Sequence, residues 1–147
     1  MSSLVAASFV MGAGMAKAQT VSVPFNGTIN ATCAFGAVTD GVLAVDAADL
    51  TLLTTTTPGS VPITCNGGVE LTVAAPVADP ANPTATLTVA SEATLLGETA
   101  DSAGLVATIV AGPIDAEDVE VTMTATGGGI LAQGDYAYTV DVTAVPQ

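Results

Sequence analysis

Histidine and tryptophan are absent from this 147-residue chain, and Lys17 is its single basic residue. Without histidine, and with only two cysteines, the Ser-His and Cys-His arrangements of nucleophilic catalysis are excluded, and a zinc site lacks its usual ligands. Carboxylate pairs of the glycosidase kind remain. Three Phe and two Tyr make no aromatic platform to hold a sugar, so the chain reads as a non-enzyme that needs no cofactor and no metal. A surface this poor in Lys and Arg cannot neutralise phosphates, which excludes nucleic acid as a partner and attraction to an anionic membrane. What the chain has instead is fourteen acidic residues, whose mutual repulsion would keep a crowded protein soluble.

Residues 1–18 read as a secretion signal. An apolar stretch from Leu4 to Met15 precedes Ala16-Lys17-Ala18, the small-x-small pattern of a cleavage site. Cutting there makes Gln19 the first mature residue and removes the only base. No basic segment precedes Leu4, so the true start of the precursor stays open. The competing reading is a short buried helix; a membrane-spanning helix needs about 18 to 20 apolar residues, more than this run supplies. Residues 19–147 are enough for one core, hence one domain. Export would place Cys33 and Cys65 in an oxidising compartment, where an available pair forms a disulfide. Two free thiols are the alternative. A bond would close a long loop and add about 3 to 4 kcal/mol.

From residue 20 onward the hydrophobic pattern has period two, interrupted by Gly, Pro, Asn and Asp. It predicts strands near Thr20 to Phe35, Gly41 to Val45, Ser60 to Cys65, Val69 to Ala74, Ala85 to Ala90, Leu105 to Ala111, Val119 to Ala125 and Asp135 to Val145. No amphipathic helix competes with them. The run Thr54 to Thr57 reads as a loop or short edge strand. The acidic group Asp115, Glu117, Asp118 and Glu120 lacks the spacing of a calcium loop and reads as a solvated loop leading into a strand. Short strands at this spacing indicate an immunoglobulin-like β-sandwich.

The two ends of the domain alternate most cleanly. Val21, Val23, Phe25, Gly27 and Ile29 interleave with Ser22, Pro24, Asn26, Thr28 and Asn30, giving one apolar face of the sort a strand inserted into a groove requires. Tyr136, Tyr138, Val140, Val142 and Ala144 interleave with Asp135, Ala137, Thr139, Asp141 and Thr143 in the same way. The simplest reading makes both segments strands of one core.

The run Phe25-Asn26-Gly27-Thr28-Ile29-Asn30-Ala31-Thr32-Cys33-Ala34-Phe35, the second cysteine in Pro62-Ile63-Thr64-Cys65-Asn66, and the closing Gly134-Asp135-Tyr136-Ala137-Tyr138-Thr139-Val140-Asp141-Val142 resemble the chaperone-usher pilins, nearest the archaic pilins and spore coat U domains. The resemblance implies an incomplete immunoglobulin-like sandwich, completed by a donor strand from the neighbouring subunit. Val21, Val23, Phe25 and Ile29 would fill the groove, with Gly27 where it is shallow. Tyr136, Tyr138, Val140, Val142 and Ala144 would wall the acceptor groove and pair with the periplasmic chaperone. The resemblance further implies an outer-membrane usher, a homopolymer of identical subunits, and an extracellular fibre on a Gram-negative-type bacterium, reached through the periplasm, that serves adhesion or biofilm formation. Because fourteen residues separate the expected cleavage site from Cys33, the donor must run almost directly into the Cys33 strand. Pro24 removes one ladder hydrogen bond. The alternative function is a self-complete secreted coat or surface protein whose N-terminal alternation is its own first strand.

Overall fold

β-Branched Val, Ile and Thr at alternate positions favour extended backbone, and in the computed structural model, which describes residues 18–84 and 86–147, regular structure is all β. Twelve strands follow in order. They are β1 (Cys33–Phe35), β2 (Val42–Val45), β3 (Leu52–Thr57), β4 (Gly59–Cys65), β5 (Val69–Val73) and β6 (Val77–Ala78), then β7 (Thr88–Leu95), β8 (Glu98–Asp101), β9 (Ala107–Ile109), β10 (Ile114–Thr126), β11 (Tyr138–Thr139) and β12 (Val142–Pro146).

All pairings are antiparallel. In the larger sheet the long β10 is flanked by β7 and then β8 on one side, and by β3 and β4 in succession on the other, with β2 outside β3 and β1 outside β4. The second sheet is β12-β5-β9, and the short β11-β6 pair continues its β12-β5 edge. That continuation is interrupted at Pro76, which has no amide to give. Ala74 N donates to Asp141 O at 2.9 Å on one side of the break, and Asp79 N donates to Ala137 O at 2.9 Å on the other.

The two sheets share a core, as a sandwich requires. Val61, Ile63, Cys65, Leu95 and Val119 from the larger sheet pack with Val69, Leu71, Val73 and Ile109 from the second. Ser91, also buried, ties them through a hydrogen bond from its hydroxyl to Ala74 O at 2.8 Å. A smaller cluster of Leu53, Met123 and Ala125 stands apart, with Leu43, Tyr136 and Tyr138 packed against it.

Several expected elements differ. Thr54–Thr57 belongs to β3, paired with β2 along its length but with β10 only as far as Thr54, so it is a strand and not a loop. The acidic group lies within β10, its side chains exposed and the pairing shifted between Ile114 and Glu117, where Ala116 takes a φ of 51°. The strand expected to end at Ala90 continues to Leu95 and turns into β8. Leu96 and Gly97 both have positive φ, 51° and 87°, as a two-residue hairpin of the mirror-image type demands. Leucine replaces the usual asparagine there, which hid the turn. Of the expected strand Thr20 to Phe35, only Cys33–Phe35 is paired. The expected leader, residues 1–18, falls outside the described residues except for Ala18.

Candidate functional site

Residues 18–32 extend from the domain without strand pairing. Val21, Val23, Phe25 and Ile29 are 83, 64, 94 and 88% exposed, and no atom comes within 4 Å of the place a Cβ on Gly27 would take. The five expected donor positions thus contribute nothing to the core of their own domain. The root of the segment is fixed. Asn66 N donates to Thr32 O at 3.2 Å, the Asn66 side chain accepts from Thr32 N at 2.9 Å and donates to Asn30 O at 2.8 Å, and Cys33 is bonded to Cys65. The expected disulfide is therefore present, joining a directly opposed pair of residues across β1 and β4.

Beyond that root an open groove of about 800 Å³ lies between two strand edges, neither of which has a further partner among the described residues. One edge is β11 and β12. Asp141 and Ala137 turn their carbonyls to β5 and β6, and Gln147 N donates to Gly68 O at 3.0 Å. Because antiparallel backbone groups alternate in direction, the N–H and C=O of the even-numbered Tyr138, Val140, Val142 and Ala144 point the other way, to the groove. Their half-buried side chains face the core. The other edge is β1 and β2. Gly36 N donates to Pro62 O at 2.8 Å, but Pro62 has no N–H to return. Pairing lapses there until Thr39 and Ser60 exchange bonds of 2.7 and 2.9 Å.

The groove floor is apolar, formed by Val61, Val121 and Met123. It separates the two core clusters, and Val140 is the side chain that touches both. An apolar strand laid in the groove would join them. Asn82, almost wholly buried, holds the start of the C-terminal wall by accepting from Ala137 N at 2.8 Å and donating to Ala137 O at 3.1 Å. Tyr136 Oη lies 2.9 Å from Thr84 Oγ1 and donates to Ala132 O at 2.9 Å. Tyr138 Oη is buried with no hydrogen-bond partner, and burial holds its ionisation above the ordinary value.

Charge divides the two components of the site. Residues 18–32 carry none, whereas Asp40 and Asp141 line the groove. An inserted strand without acids meets no carboxylate repulsion there. Among the described residues no group of three or more His, Cys, Asp and Glu could hold a metal ion, and no helix is long and apolar enough to cross a membrane.

The structure brings Tyr136, Tyr138, Val140 and Val142 together along one wall and leaves Ala144 further along the same edge. The opposite wall, with Phe35, Val38 and Leu43, and the floor were not singled out from the sequence. The alternation in Gly41 to Val45 marked a strand, but only the unpaired edge makes it a wall. These features define an all-β domain with an open seam and an extended apolar N-terminal segment. Compared with family models, curated proteins and solved structures, the chain matches none of them.

Proposed function

We propose that this protein is a structural subunit of a non-covalent extracellular fibre, joined by donor-strand exchange in the manner of chaperone-usher pilins. The domain is then an incomplete immunoglobulin-like sandwich, and residues 20–30 of the next subunit supply its missing strand. The observation that carries this reading is the coexistence in one chain of an exposed, uncharged, alternating segment and an open groove with an apolar floor between two unpaired strand edges.

Length and direction fit. Val21 to Ile29 spans eight residue steps, roughly 26 Å of strand, as does the wall from Tyr136 to Ala144. The β1-β2 edge and the C-terminal edge run in opposite senses, since Phe35 and Val142 lie towards one end of the groove and Leu43 and Tyr136 towards the other. A donor antiparallel to β11 and β12, the pairing that gains straighter hydrogen bonds, arrives from the end remote from the acceptor's own Cys33. Subunits then link head to tail in an open chain. Burying four apolar side chains at about 1.5 to 3 kcal/mol each, with ladder bonds at about 1 kcal/mol each, gives a joint on the order of 10 kcal/mol. Before assembly the same seam is the surface for a periplasmic chaperone, which delivers the subunit to an outer-membrane usher. The finished fibre serves adhesion or biofilm formation.

Phe25→Asp tests this directly. Phe25 is exposed in the single subunit, so the substitution leaves the fold intact, but in a neighbour's groove it places an unpaired charge against apolar side chains. Electron microscopy of material sheared from cells is expected to show fibres from the wild type and none from the variant. Normal polymerisation of Phe25→Asp would overturn strand exchange and favour a self-complete coat or surface domain.

A further inference from the structure

The domain has two ends. β10 runs from one to the other, roughly 40 Å at strand rise, starting near the root of the N-terminal segment and finishing at Gly127. The root end gathers the Asn66-Gly67-Gly68 turn, against which Gly112 packs too closely to carry a side chain, and the adjoining Val110. The remote end gathers residues 46–51 and 127–135, tied by Gly127 N to Thr51 O at 2.8 Å and Leu131 N to Leu50 O at 3.0 Å. There Val45, Leu50, Ile130 and Leu131 line a second cavity of about 480 Å³, which shares Leu43 and Tyr136 with the groove. Both ends expose apolar side chains prominently, Val110 being 86% and Ile130 76% accessible.

We infer that the remote apolar end is a second subunit interface, seating the root end of the next copy of this chain. The inference rests on the strand-exchange reading and follows from the length of its tether. Between Ile29, the last groove-filling residue, and Cys33, fixed in the donor's body, stand only Asn30, Ala31 and Thr32. Fully extended, that connection spans at most about 14 Å, and it leaves the acceptor groove at the remote end. The donor's body, with Cys33, the Asn66 turn and Val110, is therefore held against Val45, Leu50 and Ile130. Because the two patches differ, the contact is heterologous and does not close on itself, so it propagates along the fibre with the strand joint and stiffens it.

Variants that each add one free thiol beside the Cys33–Cys65 disulfide, Val110→Cys and Ile130→Cys, test the contact by maleimide labelling, with Glu98→Cys on the exposed start of β8 as a lateral control. Both positions are exposed in the single subunit, so neither substitution disturbs the fold. Labelling at 110 and at 130 is expected to be at least tenfold slower in assembled fibres than in the same variants carrying Phe25→Asp, which stay monomeric, while labelling at 98 is unchanged. Equal rates in fibre and monomer at either end would overturn the contact and leave strand exchange standing. A wild type that forms no polymer, or a Phe25→Asp chain that does, removes strand exchange and the end contact together.

Discussion

Two segments of this chain carry the same alternation and behave differently. Residues 21–29 and 136–144 each present apolar side chains at every second position, yet Tyr138, Val140 and Val142 pack on the core while Val21, Phe25 and Ile29 stand in solvent. Propensity does not separate them. The C-terminal segment has β5 and β6 as backbone partners and two clusters to cover. The N-terminal segment leaves its anchor at Asn66 heading away from the domain, and the edge it could reach by folding back starts at its own Cys33. Period-two alternation thus marks one apolar face, without saying whether its own domain covers it.

The sharpest way to break this comparison is to place the same charge in each segment. Val140→Asp, at the junction of the two clusters, is expected to destabilise the isolated domain by roughly 4 kcal/mol, whereas Phe25→Asp changes it by no more than about 0.5 kcal/mol. Urea denaturation of both monomers decides the matter, and equal losses would mean that the N-terminal segment packs on its own domain. Next in size is the cross-link beneath the segment's root. Replacing Cys33 and Cys65 by Ala removes a bond across a separation of 32 residues, with an expected loss of about 3 to 4 kcal/mol. A third measurement supplies the missing strand from outside. A peptide spanning residues 20–30, added to the Phe25→Asp monomer at a hundred times its dissociation constant, is expected to raise stability by about 2.7 kcal/mol. The same peptide with Asp at position 25 is expected to give none.

Much of the domain was legible in the sequence because β4, β5 and β12 alternate cleanly, Val61, Ile63 and Cys65 facing inwards as Val69, Leu71 and Val73 do. The Cys33–Cys65 pairing was legible from the cysteine count and the expectation of an oxidising compartment. Less visible was β3, where a run of threonine offers no hydrophobic contrast, although Leu53 and pairing on both sides hold it in the sheet. β8 was hidden by the Leu96-Gly97 turn. Of the site, both alternating segments could be read, and the resemblance implied a groove with the C-terminal segment as one wall, but the floor and the opposite wall could not be read. Its floor of Val61, Val121 and Met123 comes from strands whose inward residues look like any core, and its openness follows from which edges lack a partner. Edge status is a property of topology, which a single segment does not encode.

The smallest expected effect separates the two tyrosines of the C-terminal wall. Tyr136 Oη has Thr84 Oγ1 and Ala132 O within 2.9 Å, while Tyr138 Oη is buried without a partner. Tyr136→Phe strands Thr84 and is expected to cost about 1 kcal/mol. Tyr138→Phe removes a desolvated hydroxyl and is expected to be neutral or to stabilise by up to about 1 kcal/mol. Their difference also has a pH signature. Burial is the main reason Tyr138 ionises above its ordinary value of 10.0; the nearby Asn82 amide opposes the rise, although its hydrogen bonds go to Ala137 and not to the hydroxyl, and Tyr136 adds to it. A phenol whose folded value is raised favours the neutral form in the folded state. Its contribution to stability is therefore complete below the ordinary value and is lost as pH climbs from there through the raised one. Stability of the monomer is expected to fall across that alkaline window, and Tyr138→Phe is expected to flatten the fall. Denaturant midpoints measured on both proteins from neutral to strongly alkaline pH provide the check. If the curves stay parallel throughout, Tyr138 is no more desolvated in the single subunit than an ordinary surface tyrosine.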